Sequence, residues 1–303
     1  MNSAPVHELR ARDRTIELGG PGARPLLMGI VNASPDSFSD GGMYAGIERQ
    51  VALARSLLDA GADIIDVGGE SASTDRPPVD PAHEIELVVP LIERLSEELG
   101  ALVSIDTYKP VVAAAAVAAG ARIVNDVSGL RDPELADVCA GNGAALVLMH
   151  TAAAPRERRQ DPELYEDVAG EVLAFLAERV ELALSRGLQR EQLIVDPGPD
   201  FAKTPPQTIR LMRDVERLHA LQRPLLLAIS RKDFIGALTG RGPRERGAGT
   251  LAAIAFGADH GAHIFRVHDV AAAADFLTVR AALCDEHDPG RDLALSEEIR
   301  YAR

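Results

Sequence analysis

Eight short apolar runs without a polar face punctuate the chain: LLMGIVN at 26–32, IIDVGGE at 64–70, LVSIDT at 102–107, IVNDVSG at 123–129, ALVLMH at 145–150, LIVDPG at 193–198, LLLAIS at 225–230 and HIFRVHD at 263–269. A strand with one wet face alternates polar and apolar residues, whereas a strand buried on both faces does not, and all-parallel sheets are where such strands occur. Between the runs lie segments with helical spacing, among them ERQVALARSLLDAGA at 48–62, KPVVAAAAVAAGA at 109–121, DVAGEVLAFLAERVELALSRG at 167–187 and GAGTLAAIAFGADHGA at 247–262. Most end at glycine, as helix C-caps do. Strand then helix, repeated until eight strands are used, predicts a single-domain (β/α)8 TIM barrel over residues 25–284. A doubly wound open sheet is the alternative, disfavoured by the strand count and by the lack of a glycine-rich first turn.

Residues 1–24 read as an arm or hairpin across the far end of the barrel, and residues 285–303 as a polar tail. The 303 residues carry a net charge of −14, which disfavours the clustered Lys/Arg surface that nucleic acid requires. A small anionic substrate in a local basic pocket stays compatible. Two cysteines, Cys139 and Cys284, are too few for a disulfide framework or a cysteine-based zinc site and suit a reducing cytoplasm. No apolar run is long enough to span a membrane, and the first residues lack the apolar stretch of a secretory signal.

A barrel collects the C-terminal ends of its strands at one mouth, where its chemistry resides. Asn32, Glu70, Asp106, Asn125, Asp126, His150, Asp196, Ser230, Lys232, Arg266 and His268 all stand at such ends. Asp106, Asn125 and Asp196 together match a flat ring edge rich in N–H donors, although each alone could cap the following helix. Lys232, Arg266 and His268 supply cationic or donor groups suited to phosphate, and Arg266 could also stack on a heteroaromatic ring. The long loop NASPDSFSDGG at 32–42 brings an amide and several hydroxyls that could cover a phosphate or help hold Mg²⁺, and its length favours such a function over an inert surface loop. No GxSxG, Walker A or GxGxxG context is present, so nucleophilic hydrolysis and dinucleotide binding find no support.

Over residues 25–285 these motifs, in this order, resemble the dihydropteroate synthase family: MGIVN-xx-PDSFSDGG, GADIIDVGGES, VSIDTYKP, IVNDVSG, VLMH, DPG-x-x-F-x-K-T, SRK-x-FIG, GTLAA and RVHDV. The resemblance implies a transferase of folate biosynthesis that joins para-aminobenzoate to 6-hydroxymethyl-7,8-dihydropterin pyrophosphate, with Mg²⁺, in a cytoplasmic homodimer. It implies that Asp106, Asn125, Asp196, Lys232 and Arg266 bind the pterin, and that Asn32, Arg266 and His268 meet the pyrophosphate, with Asn32 also at the metal. Asp106, Lys232, Arg266 and His268 are thereby the catalytic set. Thr74, Arg76, Pro77, Phe201 and Ser230 correspond to the aminobenzoate side.

Four stretches depart from the family pattern. Extra residues separate Glu70 from Thr74, Arg76 and Pro77; Asp200 and Ala202 replace glycines around Phe201; Asp233 follows Lys232 in place of a small hydroxyl residue; and TAAAPRERRQ follows His150 without the usual Met and Gly. Such changes would also mark a non-catalytic paralogue of the synthase, the alternative reading. A methyltetrahydrofolate-binding methyltransferase barrel is a further alternative, one with no evident use for His268 and the PDSFSDGG loop.

Overall fold

A computed structural model describes residues 5–20, 22–33, 42–70, 78–296 and 300. Two antiparallel strands, β1 (His7–Ala11) and β2 (Arg14–Leu18), open the chain as a hairpin. Eight parallel strands follow: β3 (Leu26–Asn32), β4 (Ile64–Gly68), β5 (Leu102–Asp106), β6 (Ile123–Asp126), β7 (Ala145–Met149), β8 (Leu193–Asp196), β9 (Leu226–Leu227) and β10 (Ile264–Val267). Each coincides with one of the eight apolar runs. The order is β8-β7-β6-β5-β4-β3-β10-β9, and a parallel bridge between Val195 and Leu225 brings the two ends together. This is the expected (β/α)8 barrel.

Helices α1 (Gly42–Asp59), α2 (Pro81–Leu99), α3 (Pro110–Ala118), α4 (Glu134–Asn142), α5 (Val168–Ser185), α6 (Pro205–Arg213), α7 (Asp233–Thr239), α8 (Gly247–Asp259) and α9 (Val270–Leu283) alternate with the strands. Their starts are written in the sequence. Asp80 accepts from Ala82 N at 2.9 Å with proline in the first turn, Thr204 and Gln207 form a capping box, and Asp269 accepts from Ala272 N at 3.1 Å. The acid that closes the RVHD run therefore serves a helix.

The barrel interior changes character along its axis. Residues alternate in and out along a strand, so 64 and 66, 123 and 125, 194 and 196, and 264 and 266 share the inner face. The lower members, Ile64, Ile123, Ile194 and Ile264, pack with Met28, Ala145 and Leu226 into an apolar plug, on which Leu9, Ala11 and Leu18 of the hairpin close from below. The upper members are polar: Asn125, Asp196 and Arg266 line the mouth, and Asp66 is buried against Arg266. A second apolar layer lies between the outward strand residues and the helices.

Candidate active site at the mouth of the barrel

The mouth encloses a cavity of about 790 Å³ lined by, among others, Asn32, Asp106, Asn125, Asp196, Phe201, Ser230, Lys232, Arg266 and His268. The structure therefore brings these nine residues of the sequence-derived set to one place. Thr74, Arg76 and Pro77, and residues 34–41 of the first loop, lie outside the described residues.

Arg266 organises the floor. Its Nε donates to Asp66 Oδ2 at 2.6 Å and its Nη2 to Asp106 Oδ2 at 2.8 Å, while Asn125 Nδ2 donates to the same Asp66 oxygen at 3.2 Å. Asp106 and Asn125 are register partners across β5 and β6, which fixes their proximity. Asp66 was absent from the strand-end reading because it sits one residue pair below the end. A charge inside the IIDVG run was the available signal.

Burial drives Asp106 up to about 7, against the pull of Arg266 and with the nearby Asp66 charge adding to the rise. Burial also raises Asp196, to about 6, although its Oδ1 accepts from Gly198 N at 2.8 Å. Both floor acids therefore exchange protons within reach of neutrality. Lys232, drawn downward by burial, places Nζ 4.4 Å from the centre of the Phe201 ring.

His268 Nδ1 lies 3.0 Å from Ser230 Oγ, and burial, then Arg231, Arg266 and Lys232, hold its pKa down at about 4. The ring is neutral at pH 7, and in the tautomer whose Nδ1 accepts from Ser230, Nε2–H is the group it can offer a ligand. Asn32 stands beside Asp106: a Cβ on Gly68 would lie 3.7 Å from Asn32 Oδ1 and 4.0 Å from Asp106 Oδ2.

Two departures now have physical accounts. Asp200 accepts from Thr208 Oγ1 at 3.1 Å and from the Asp233 backbone N–H, so its carboxylate braces the turn onto α6 and α7. Asp233 pairs with Arg246 at 3.0 Å and its side chain stays half exposed to solvent. Gly198 is required where it stands, with φ of 63° and His150 O only 2.1 Å from where a Cβ would be.

A second charged cluster flanks the mouth. Lys109 Nζ donates to Glu70 at 2.8 Å, Glu84 at 2.6 Å and Val79 O at 2.7 Å, and Arg156 donates to Glu70 at 2.6 Å. Burial alone would raise Glu70, but Lys109, Arg156 and Tyr108 outweigh it and hold that acid low, while in Glu84 burial prevails and raises it. Glu70 was expected at the mouth. Lys109, Glu84 and Arg156 were not, since charged residues in helical or loop stretches read as solvated.

Fold and mouth together define the class: a (β/α)8-barrel enzyme with an ionised ligand pocket at the C-terminal ends of its strands. The chain belongs to the pterin binding enzyme family, which matches residues 28–268. It is 42% identical over 248 residues to the dihydropteroate synthase of Bacillus subtilis, covering 82% of this chain and 84% of that one. Among solved structures, dihydropteroate synthase of Xanthomonas albilineans with 4-aminobenzoic acid superposes with a TM-score of 0.82 at 42% identity, covering 91% of this chain and 98% of that one. The same enzyme in complex with 7,8-dihydropteroate gives 0.77 at 42% identity, covering 88% and 96%.

Proposed function

We infer that the protein is an enzyme condensing para-aminobenzoate with 6-hydroxymethyl-7,8-dihydropterin pyrophosphate to give 7,8-dihydropteroate and pyrophosphate, the dihydropteroate synthase reaction of folate biosynthesis. The observation that carries the reading is the floor of the mouth, where Arg266 spans Asp66 and Asp106 beside Asn125, Asp196 and Lys232. Carboxylates and an amide at this spacing suit the amino and ring N–H groups of a pterin, and Lys232 and Arg266 suit its carbonyl and ring face.

The reaction asks little of a general base. The lone pair of the aniline nitrogen forms the C–N bond to the exocyclic carbon as the C–O bond to pyrophosphate breaks, and the amine then sheds a proton. Positive charge developing on the pterin is offset by Asp106 and Asp196, and the departing pyrophosphate by Arg266 and the His268 donor. Phe201 and Ser230 border the aminobenzoate.

Mg²⁺ would supply charge neutralisation on the leaving group. Among the described residues no three His, Cys, Asp or Glu side chains gather to hold a metal. An ion that keeps most of its waters and takes diphosphate oxygens needs only a contact such as the Asn32 amide oxygen, so the residues fit that mode of binding.

We assign the protein to the cytoplasm, in keeping with unpaired Cys139 and Cys284 and with described helices none of which is long and apolar enough to cross a membrane. A homodimer through the outer helices is supported by an apolar hollow on α6, α7 and α8, rimmed by Leu238, which is 67% exposed, with Met212, Phe234 and Phe256. Light scattering tests that state.

Pyrophosphate release, measured with dihydropterin pyrophosphate and Mg²⁺ with and without aminobenzoate, tests the reaction. Release that needs aminobenzoate, yields dihydropteroate and collapses in Asp106→Ala is expected. Pterin binding without turnover would move the assignment to a non-catalytic paralogue.

A further inference from the structure

Lys203 has no place in the reaction described above, yet its side chain is fully buried, with 0% exposure. Its Nζ lies beneath the turn at 196–204, 2.9 Å from Gly198 O, 3.0 Å from Phe201 O and 2.8 Å from His150 Nδ1. These three acceptors, with His150 O farther off at 3.5 Å, match the three N–H bonds of an ammonium. His150, kept neutral by its own burial and by the Lys203 charge, offers Nδ1 as an acceptor. Burial draws the Lys203 pKa down to about 7, while Asp196 favours the charged form.

An ammonium with no exposure is costly, and a methionine would fill the same space without that cost. The turn that Lys203 holds explains its presence. Asp200 and Ala202 both take left-handed backbone, with φ of 67° and 50°. That conformation costs a residue such as alanine about 1–2 kcal/mol, and an aspartate less. Between them stands Phe201, whose own carbonyl is bonded to Lys203 and whose ring lies under Lys232.

We propose that Lys203 is a positioning residue for the second substrate: by drawing Gly198 O, Phe201 O and His150 to one ammonium, it holds a strained turn in the shape that presents the Phe201 ring to aminobenzoate. The proposal rests on the synthase reading above.

The test compares Lys203→Met and Lys203→Gln, each alone and combined with Ala202→Gly. With the buried bonds gone, Lys203→Met is expected to raise the aminobenzoate KM by about tenfold or more while the pterin pyrophosphate dissociation constant moves by less than about threefold. Lys203→Gln, which keeps donors, falls between wild type and Lys203→Met. Ala202→Gly relieves one left-handed residue and recovers a large part of the KM loss in the Lys203→Met background. Amide hydrogen exchange over 198–204 quickens by about tenfold in Lys203→Met and slows again in the double variant.

A lysine that merely fills space gives a Lys203→Met enzyme whose aminobenzoate KM and exchange match wild type, or one whose KM and pterin affinity worsen together; either result overturns the proposal. Should Lys203→Met fail to fold, Lys203→Gln carries the same comparison. Wild-type protein without aminobenzoate-dependent turnover would instead sink the synthase reading, and the exchange measurement would still decide whether Lys203 holds the turn.

Discussion

Asp66 and Asp106 share one arginine, so the charge on each bears on the other. Replacing Asp66 with Asn removes a like charge from beside Asp106 and one of the two carboxylates on Arg266. We expect Asp66→Asn to lower kcat/KM by about 10- to 100-fold, as for loss of a charged hydrogen bond, and to shift the Asp106 midpoint downward. Rate profiles over pH read both. Protonation also sets the ligand's affinity. Pterin N–H donors need ionised acceptors, so affinity should fall as pH drops from 8 to 5 through the values of about 7 for Asp106 and about 6 for Asp196. Calorimetric titration should show a flatter dependence in Asp196→Asn. Stability of the empty protein follows the opposite sign. A carboxyl whose folded pKa is raised binds a proton that the unfolded chain has released, so its contribution is complete below the ordinary carboxylate range and is lost as pH rises through about 6 to 7. The melting temperature should fall over that window, and less steeply in Asp106→Asn. Most of this floor was legible in the sequence, because polar residues that end apolar runs are conspicuous. Asp66 and Lys203 were not, since a strand pattern says which residues face inward but not how far down the barrel they sit, and a lysine in a turn reads as solvated.

At the scale of elements, the Lys109 cluster joins the end of β4, the start of α2 and the loop after β7 through Glu70, Glu84, Val79 and Arg156. Glu84 is 1% exposed and Glu70 is also buried at its side chain, so removing the lysine takes the cationic partner from Glu84 in low dielectric and leaves Glu70 to Arg156 and Tyr108. We expect Lys109→Met to cost about 3–5 kcal/mol, the range for breaking a buried pair by removing one partner. Chemical denaturation measures it, and Lys109→Met combined with Glu84→Gln should recover part of the loss. Helix positions were readable from apolar spacing and caps. The cluster was not, because an acid on an amphipathic helix such as α2 gives no sign of whether its face meets water or a neighbouring loop.

For the molecule as a whole, the barrel is closed at opposite ends by different chemistry. Leu9 and Leu18 of the hairpin, 0% and 2% exposed, complete the apolar plug below, and no residue of the hairpin lines the mouth cavity. Leu9→Ala should therefore destabilise by about 2–5 kcal/mol, as buried leucine truncations do, with both substrate KM values unchanged. Denaturation curves and steady-state kinetics on one preparation check the separation.

The stems of the loop at 71–77 carry a further consequence. One ammonium, that of Lys109, grips Glu70 on one side of this loop and Val79 O on the other. The chain on either side of residues 71–77 is thus tied to the barrel through one lysine, and a segment anchored at both ends lengthens at little cost, about 0.6 kcal/mol for each doubling. Here lies room for evolutionary drift: the number of residues between Glu70 and Val79 can change while the anchored stems, and the scaffold they belong to, stay as they are.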